Sequence, residues 1–115
     1  MATNPNFMNG VPELLILRTL EAKEMYGYEL VQAIKLKTNQ AISLGEGVVY
    51  PALHALEAQG MLKSRRKLVN GRTRVYYALT AKGTKHLAGL VRRWQHITDA
   101  IGLAIGGTAH ASVAL

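Results

Sequence analysis

The spacing of apolar positions changes along the chain, and each change marks an element. From Pro12, Leu14, Leu17, Arg18 and Glu21 recur at helical spacing, while Leu15, Ile16 and Leu20 thicken the apolar side. This predicts a mostly buried helix of about 11 residues. Pro12 suits a first turn, where a missing N–H costs nothing, and Glu13 suits the positive end. A turn over 22–27 is followed by a second predicted helix from Tyr28 to Lys37. Tyr28, Leu30, Val31 and Ile34 are expected inside, and Glu29, Gln32, Lys35 and Lys37 outside. Gly27 allows a tight turn against the first helix. A third helix is predicted from Glu46 or Gly47 to Gln59, with Gly60 as its stop. Its inner stripe is Val49, Leu53 or Ala52, and Leu56. Pro51 is tolerable near the first turn but costs about 3 kcal/mol deep inside a helix, so a late start is expected.

Beyond Leu62 the period becomes two. Asn70-Gly71 is the strongest short-range signal for a two-residue hairpin loop, because both positions accept positive φ. With that loop, Val69 faces Arg72, Leu68 faces Thr73, Lys67 faces Arg74 and Arg66 faces Val75. One face then carries Lys63, Arg65, Lys67, Arg72, Arg74 and Tyr76. The other carries Leu62, Ser64, Leu68, Val75, Tyr77 and Leu79, with Arg66 as the misfit. After the hairpin Thr80 is a suitable N-cap. Leu87, Leu90, Val91, Trp94, Ile97 and Ile101 then form a stripe at spacings of three and four, which Ala104 and Ile105 extend. Gly106-Gly107 is expected to end this helix. So long an apolar stripe on so small a domain calls for a partner helix, most economically from a second copy.

Charge sharpens the picture. The 115 residues carry a formal net charge of +7. Residues 1–62 hold four bases and six acids, whereas residues 63–115 hold ten bases and one acid. Six bases fall in the twelve positions 63–74, with no acid among them. Such asymmetry points to a polyanionic partner. There is no cysteine, hence no disulfide frame or thiolate metal site. The four histidines lack a metal spacing, and neither a metal nor a cofactor is expected. Paired carboxylates, phosphate-binding glycine loops and a Ser-His-Asp set are missing, so no enzyme is expected. The first residues lack a signal peptide's pattern and the apolar end from Ala100 is too short to span a bilayer, so the expectation is cytoplasmic with no membrane partner.

Three helices and a basic hairpin make a mainly α chain with a β-hairpin wing, the plan of a winged helix-turn-helix followed by a C-terminal dimerisation helix. The expected boundaries are an N-terminal tail over 1–10, a DNA-binding unit over 11–80, the dimerisation helix over 81–105 and an apolar tail over 106–115. The third helix would enter the major groove, with base edges read by short contacts and phosphates held by arginine and lysine. The candidate DNA contacts are Gly47, Val48, Tyr50, Pro51 and His54 on that helix, Arg65, Lys67, Arg72 and Arg74 on the wing, and Tyr26. Tyr50 has two readings, a phosphate contact or packing against the wing. The dimerisation candidates are Leu87, Leu90, Trp94, Ile97 and Ile101. Trp94, with Val91 and Ile97, could instead stack a flat ligand between two copies. A winged-helix protein-interaction module and a non-specific architectural nucleic-acid binder are the alternative functions.

Several separated stretches resemble the PadR family of bacterial transcriptional regulators. They are Gly10 to Leu20; Tyr26-Gly27-Tyr28-Glu29-Leu30; Gly47 to Gly60, with its Tyr50-Pro51-x-Leu53-x-x-Leu56-Glu57-x-x-Gly60 pattern; and Arg74 to Gly83, with Tyr77-x-Leu79-Thr80-x-x-Gly83. The resemblance covers roughly residues 9–97 and fits the family's short class, which has a single C-terminal helix. It implies a homodimer on a double-stranded inverted-repeat operator, usually repressing. It also implies an effector that is a phenolic or other planar aromatic compound, bound in some members at the dimer interface, where Trp94 falls. Val48 stands where many members have a hydroxyl residue.

Overall fold

The computed structural model describes residues 10–106. The order of elements is α1 (Val11–Ala22), β1 (Met25–Tyr26), α2 (Gly27–Lys37), α3 (Glu46–Ala58), β2 (Leu62–Val69), β3 (Arg72–Leu79) and α4 (Ala81–Ala104). The expected structure over 1–9 and 107–115, including most of both tails, lies outside the described residues.

The core forms where the helical stripes converge. Ile16 and Leu17 of α1, Leu30 and Ile34 of α2, and Val49 and Leu53 of α3 are fully buried. Burying each such side chain contributes on the order of 1.5–3 kcal/mol. Leu62 and Tyr77 close the core from the base of the hairpin, and Leu87 and Leu90 close it from α4.

Tyr28, expected inside, is instead 53 % exposed. The reason lies one residue earlier. α2 starts at Gly27, and its inward stripe is Gly27, Leu30 and Ile34. Gly27 occupies an inward position without a side chain, and the Tyr50 ring of α3 fills that space: a Cβ at 27 would overlap the phenol. Pro51 is the sixth residue of α3, in its second turn rather than near its first. It has no N–H to offer the carbonyl of Gly47, an exposed residue whose carbonyl water can serve.

The hairpin has the expected register, Val69↔Arg72 through Leu62↔Leu79. Asn70 (φ 51°) and Gly71 (φ 77°) take the positive values that the two-residue loop requires. Residues 22–27, expected as a turn, contain a third strand. β1 pairs with β3 through Met25↔Tyr77 and Tyr26↔Tyr76, so the sheet order is β1-β3-β2. Two residues are too few to display a period, but pairing still sorts them. Met25 goes to the core beside Tyr77, and Tyr26 goes to the outer face beside Tyr76.

The two faces of the hairpin do not stay apolar and cationic along their length. Leu68, on the expected core face, is 75 % exposed. The arms run beyond the helices, so nothing lies beneath the tip. Tyr76, on the cationic face, is only 9 % exposed because the surrounding cations and Tyr26 cover it.

α4 is locked to the hairpin base. Thr80 Oγ1 accepts from Gly83 N (3.0 Å) and donates to Gly60 O (2.6 Å), and Thr80 N donates to Met61 O (3.1 Å). His86 of α4 lies 3.4 Å from Glu13 of α1, beside the shared core. With 24 residues the helix is about 36 Å long, and the molecule extends 55 Å along its longest axis. No helix among the described residues is long and apolar enough to cross a membrane.

Candidate nucleic-acid interface

The exposed side of α3 carries no base. Glu46, Gly47, Val48, Pro51 and His54 are exposed there, and Tyr50 is half-buried. A surface of this kind meets base edges through small apolar contacts and few hydrogen bonds. The positive charge lies beside it, on the wing. Lys63, Arg66 and Arg72 are exposed, and no carboxylate among the described residues lies within ion-pair distance of them.

Between α3 and the wing is an open cleft of about 280 Å³. Tyr26 and Gly27 at the start of α2, Tyr50 and His54 of α3, and Thr73, Arg74, Val75 and Tyr77 of β3 line it. The Tyr50 and His54 rings are 6.5 Å apart across one turn of α3. Burial, and then the negative potential of Glu57 and Tyr50, push the Tyr77 phenol upward, which keeps it a neutral hydroxyl. Tyr50 therefore packs on α2 at Gly27 and also faces this cleft, rather than resting on the wing alone. Four candidates from different parts of the chain, Tyr26, Tyr50, His54 and Arg74, meet here. The cleft contains one formal positive charge, Arg74, and no acid. Such a lining suits an anionic backbone better than an apolar ligand.

The cations of the wing also make contacts of their own. Arg74 stacks over the Tyr26 ring, its guanidinium carbon 4.3 Å from the centroid. Lys67 stacks over Tyr76 at 4.2 Å, and the two tyrosines meet edge to face at 5.4 Å. Arg65 and Lys67 both reach Glu24. Arg65 donates through Nε (3.0 Å) and Nη2 (2.6 Å), and Lys67 through Nζ (3.2 Å). Sequence reasoning missed Glu24 because a single acid before a two-residue strand gives no periodic signal. Only the pairing of β1 with β3 carries it to the wing.

The two Arg65 hydrogen bonds, and then the single one from Lys67, hold the Glu24 carboxyl down at about 2 against a partial opposing effect of burial. The folded value lies below the ordinary 4.5. The stabilisation is therefore complete above the ordinary value and is lost as pH falls through about 2. Urea midpoints of the wild type and Glu24→Gln should differ most at neutral pH and converge at pH 2. A difference that persists unchanged at pH 2 would show that the carboxylate charge is not its source.

On α4, Leu87 and Leu90 are 2 % and 6 % exposed within the single chain, so its own core uses them. The apolar surface that the chain itself leaves open begins at Val91. Trp94 and Ile97 are half-buried, and Ile101, Leu103 and Ile105 are exposed. Among the described residues no three histidine, aspartate or glutamate side chains converge on a possible metal position.

Residues 16–89 match the model of the transcriptional regulator PadR-like family. The chain is 30 % identical over 104 residues to the transcriptional regulator Rv3488 of Mycobacterium tuberculosis, covering 90 % of this chain and 92 % of that one. It superimposes on a transcriptional regulator of Clostridium thermocellum with a TM-score of 0.77 and 28 % identity, over 84 % of this chain and 95 % of that one. A PadR family transcription regulator of Clostridium difficile gives 0.72 and 30 %, over 84 % and 100 %. The winged helix-turn-helix fold with its trailing helix thus matches these regulators over most of each chain, and this protein belongs to the PadR-like family of DNA-binding transcriptional regulators.

Proposed function

We propose that the protein is a ligand-responsive repressor that binds an inverted-repeat operator as a homodimer. The observation that carries this reading is where the apolar stripe of α4 stops being covered. The chain's own core takes Leu87 and Leu90 and leaves Trp94, Ile97 and Ile101 partly open, with Leu103 and Ile105 beyond them. A second α4 would cover that surface and set two copies of α3 at a fixed separation. Operator half-sites about 34–36 Å apart must be met by both at once. A planar aromatic or phenolic compound lodged against Val91, Trp94 and Ile97 would alter that separation. A ligand preferring the altered spacing would shift the population away from the DNA-competent form.

The test is a mobility-shift titration with DNA from the gene's own upstream region, competed by unrelated DNA of equal length. Selective, two-fold-symmetric retention supports the reading and justifies screening aromatic compounds by Trp94 fluorescence. Equal retention of both DNAs would favour an architectural binder, and retention of neither a protein-contact module.

Arg72→Ala and Arg74→Ala should weaken binding to all duplexes alike. Each should lower the salt slope by roughly one for every phosphate that the side chain neutralises in the wild type. Arg72 sits exposed at the tip, so its removal should leave stability unchanged; Arg74 also covers Tyr26. A slope unchanged by either substitution would remove that residue from the interface.

A further inference from the structure

The wing's positive face is not as positive as its sequence. Of six bases in the hairpin, two are already held by an acid of the same chain. Glu24, just before β1, takes three hydrogen bonds from Arg65 and Lys67, all at 3.2 Å or less. The Arg65 contact is a two-pronged fork, the strongest geometry for such a pair. Arg65 retains donors on Nη1, but its charge is answered. Lys67 is further held over Tyr76. Beyond Tyr76 the same face continues through Tyr26 to Arg74 and the cleft beside α3. Glu24 therefore lies on the sheet face that leads into the interface.

We infer that Glu24 is a specificity-determining residue: a built-in counter-anion that keeps Arg65 and Lys67 from non-specific phosphate contacts and so lowers the protein's indiscriminate affinity for DNA. The argument is competitive. A backbone phosphate and the Glu24 carboxylate offer the same two cations the same kind of hydrogen bond. The carboxylate is tethered and already in place, whereas the phosphate must displace it, leaving Glu24 unpaired in a negative field. The three side chains together present a charge of +1 rather than +2. A regulator faces a large excess of non-specific sites, and its useful quantity is the ratio of specific to non-specific affinity. Lowering the denominator improves that ratio without any change at α3.

This inference rests on DNA binding by the chain, and the experiment separates the two. The probe is a random-sequence duplex of about two helical turns, titrated by fluorescence anisotropy with full-length protein at several salt concentrations. Glu24→Gln should bind it roughly three- to tenfold more tightly at 50 mM salt than the wild type. Its log–log salt slope should be steeper by about one, as expected for one more phosphate neutralised. Asp99→Asn, which adds the same net charge on exposed α4, should change little. Arg65→Gln added to Glu24→Gln should cancel much of the gain, because the freed cation is its source. That comparison keeps the test valid even if Glu24→Gln slightly loosens the wing.

A Glu24→Gln variant that binds like the wild type or like Asp99→Asn would overturn the inference and leave Glu24 as a strut. Weaker binding would overturn it in the opposite sense, with Glu24 pre-organising the cations for DNA. A wild type with no salt-dependent affinity for the duplex would defeat the DNA-binding reading itself.

Discussion

Gly83→Ala should lower the melting temperature by about 10 °C or more, and Gly83→Val should leave little folded protein. A Cβ at this position would overlap the Met61 backbone carbonyl and come within 3.0 Å of Leu79 Cδ2. The Met61 carbonyl cannot swing away, because it accepts the Thr80 N–H at 3.1 Å. Gly83 N in turn donates to the Thr80 cap. To admit a methyl group, the first turn of α4 must lift from the hairpin base and break that lock. Overpacking costs about 1–3 kcal/mol, and more against backbone than against a side chain able to rotate. Total stability for a domain of this size is about 5–15 kcal/mol, and each kilocalorie moves the midpoint by about 4–8 °C. The control is Gly89→Ala on the same helix, where a Cβ meets only Arg92 Nη2 at 3.9 Å. Helix propensity alone then favours alanine by about 1 kcal/mol. Thermal melts of the two variants should move in opposite directions. A Gly83→Ala melt within about 4 °C of the wild type, less than the shift expected of about 1 kcal/mol, would mean that α4 does not dock as described.

The second large effect concerns assembly. Ile97→Asp combined with Ile101→Asp should produce a folded monomer whose selective DNA binding is lost. Both side chains keep solvent exposure in the single chain, Ile101 at 42 %, so replacing them removes little of the chain's own core. In a dimer the same positions would face the partner helix, where a buried unpaired carboxylate is strongly unfavourable. Two linked recognition helices gain a factor of about 10²–10⁴ over one, and the monomer forfeits it. Its salt slope per chain on random DNA should be unchanged because the wing is intact. Sedimentation at micromolar concentration reads the first result and competition with unrelated DNA the second. A double variant that still sediments as a dimer would assign dimerisation to another surface. Leu90→Ala cannot serve here: Leu90 is buried within the chain, and its truncation should unfold before it dissociates.

The contrast between Leu90 and Ile101 shows where sequence and structure part. Both belong to one stripe with one period, and periodicity reports that a position is apolar and faces one way. It does not report what lies opposite. The chain's own core lies opposite Leu90, and the described chain leaves Ile101 open. In the same manner, the inward stripe of α2 contains Gly27 because the side chain that fills its space, Tyr50, comes from a different helix.

Local chemistry determined much of this protein. Asn70-Gly71 set the hairpin loop and, through it, every cross-strand pair of β2 and β3. Thr80 set the start of α4, Gly60 followed the end of α3, and the charge run over 63–74 marked the wing. These are interactions between near neighbours, and the residues concerned are adjacent in the chain. Tertiary structure alone decided the pairing of Met25-Tyr26 with β3, the capture of Arg65 and Lys67 by Glu24 across some 40 positions, and the cleft that joins Tyr26, Tyr50, His54 and Arg74. Each depends on side chains that meet only after the chain has closed, and no spacing along the sequence encodes such a meeting.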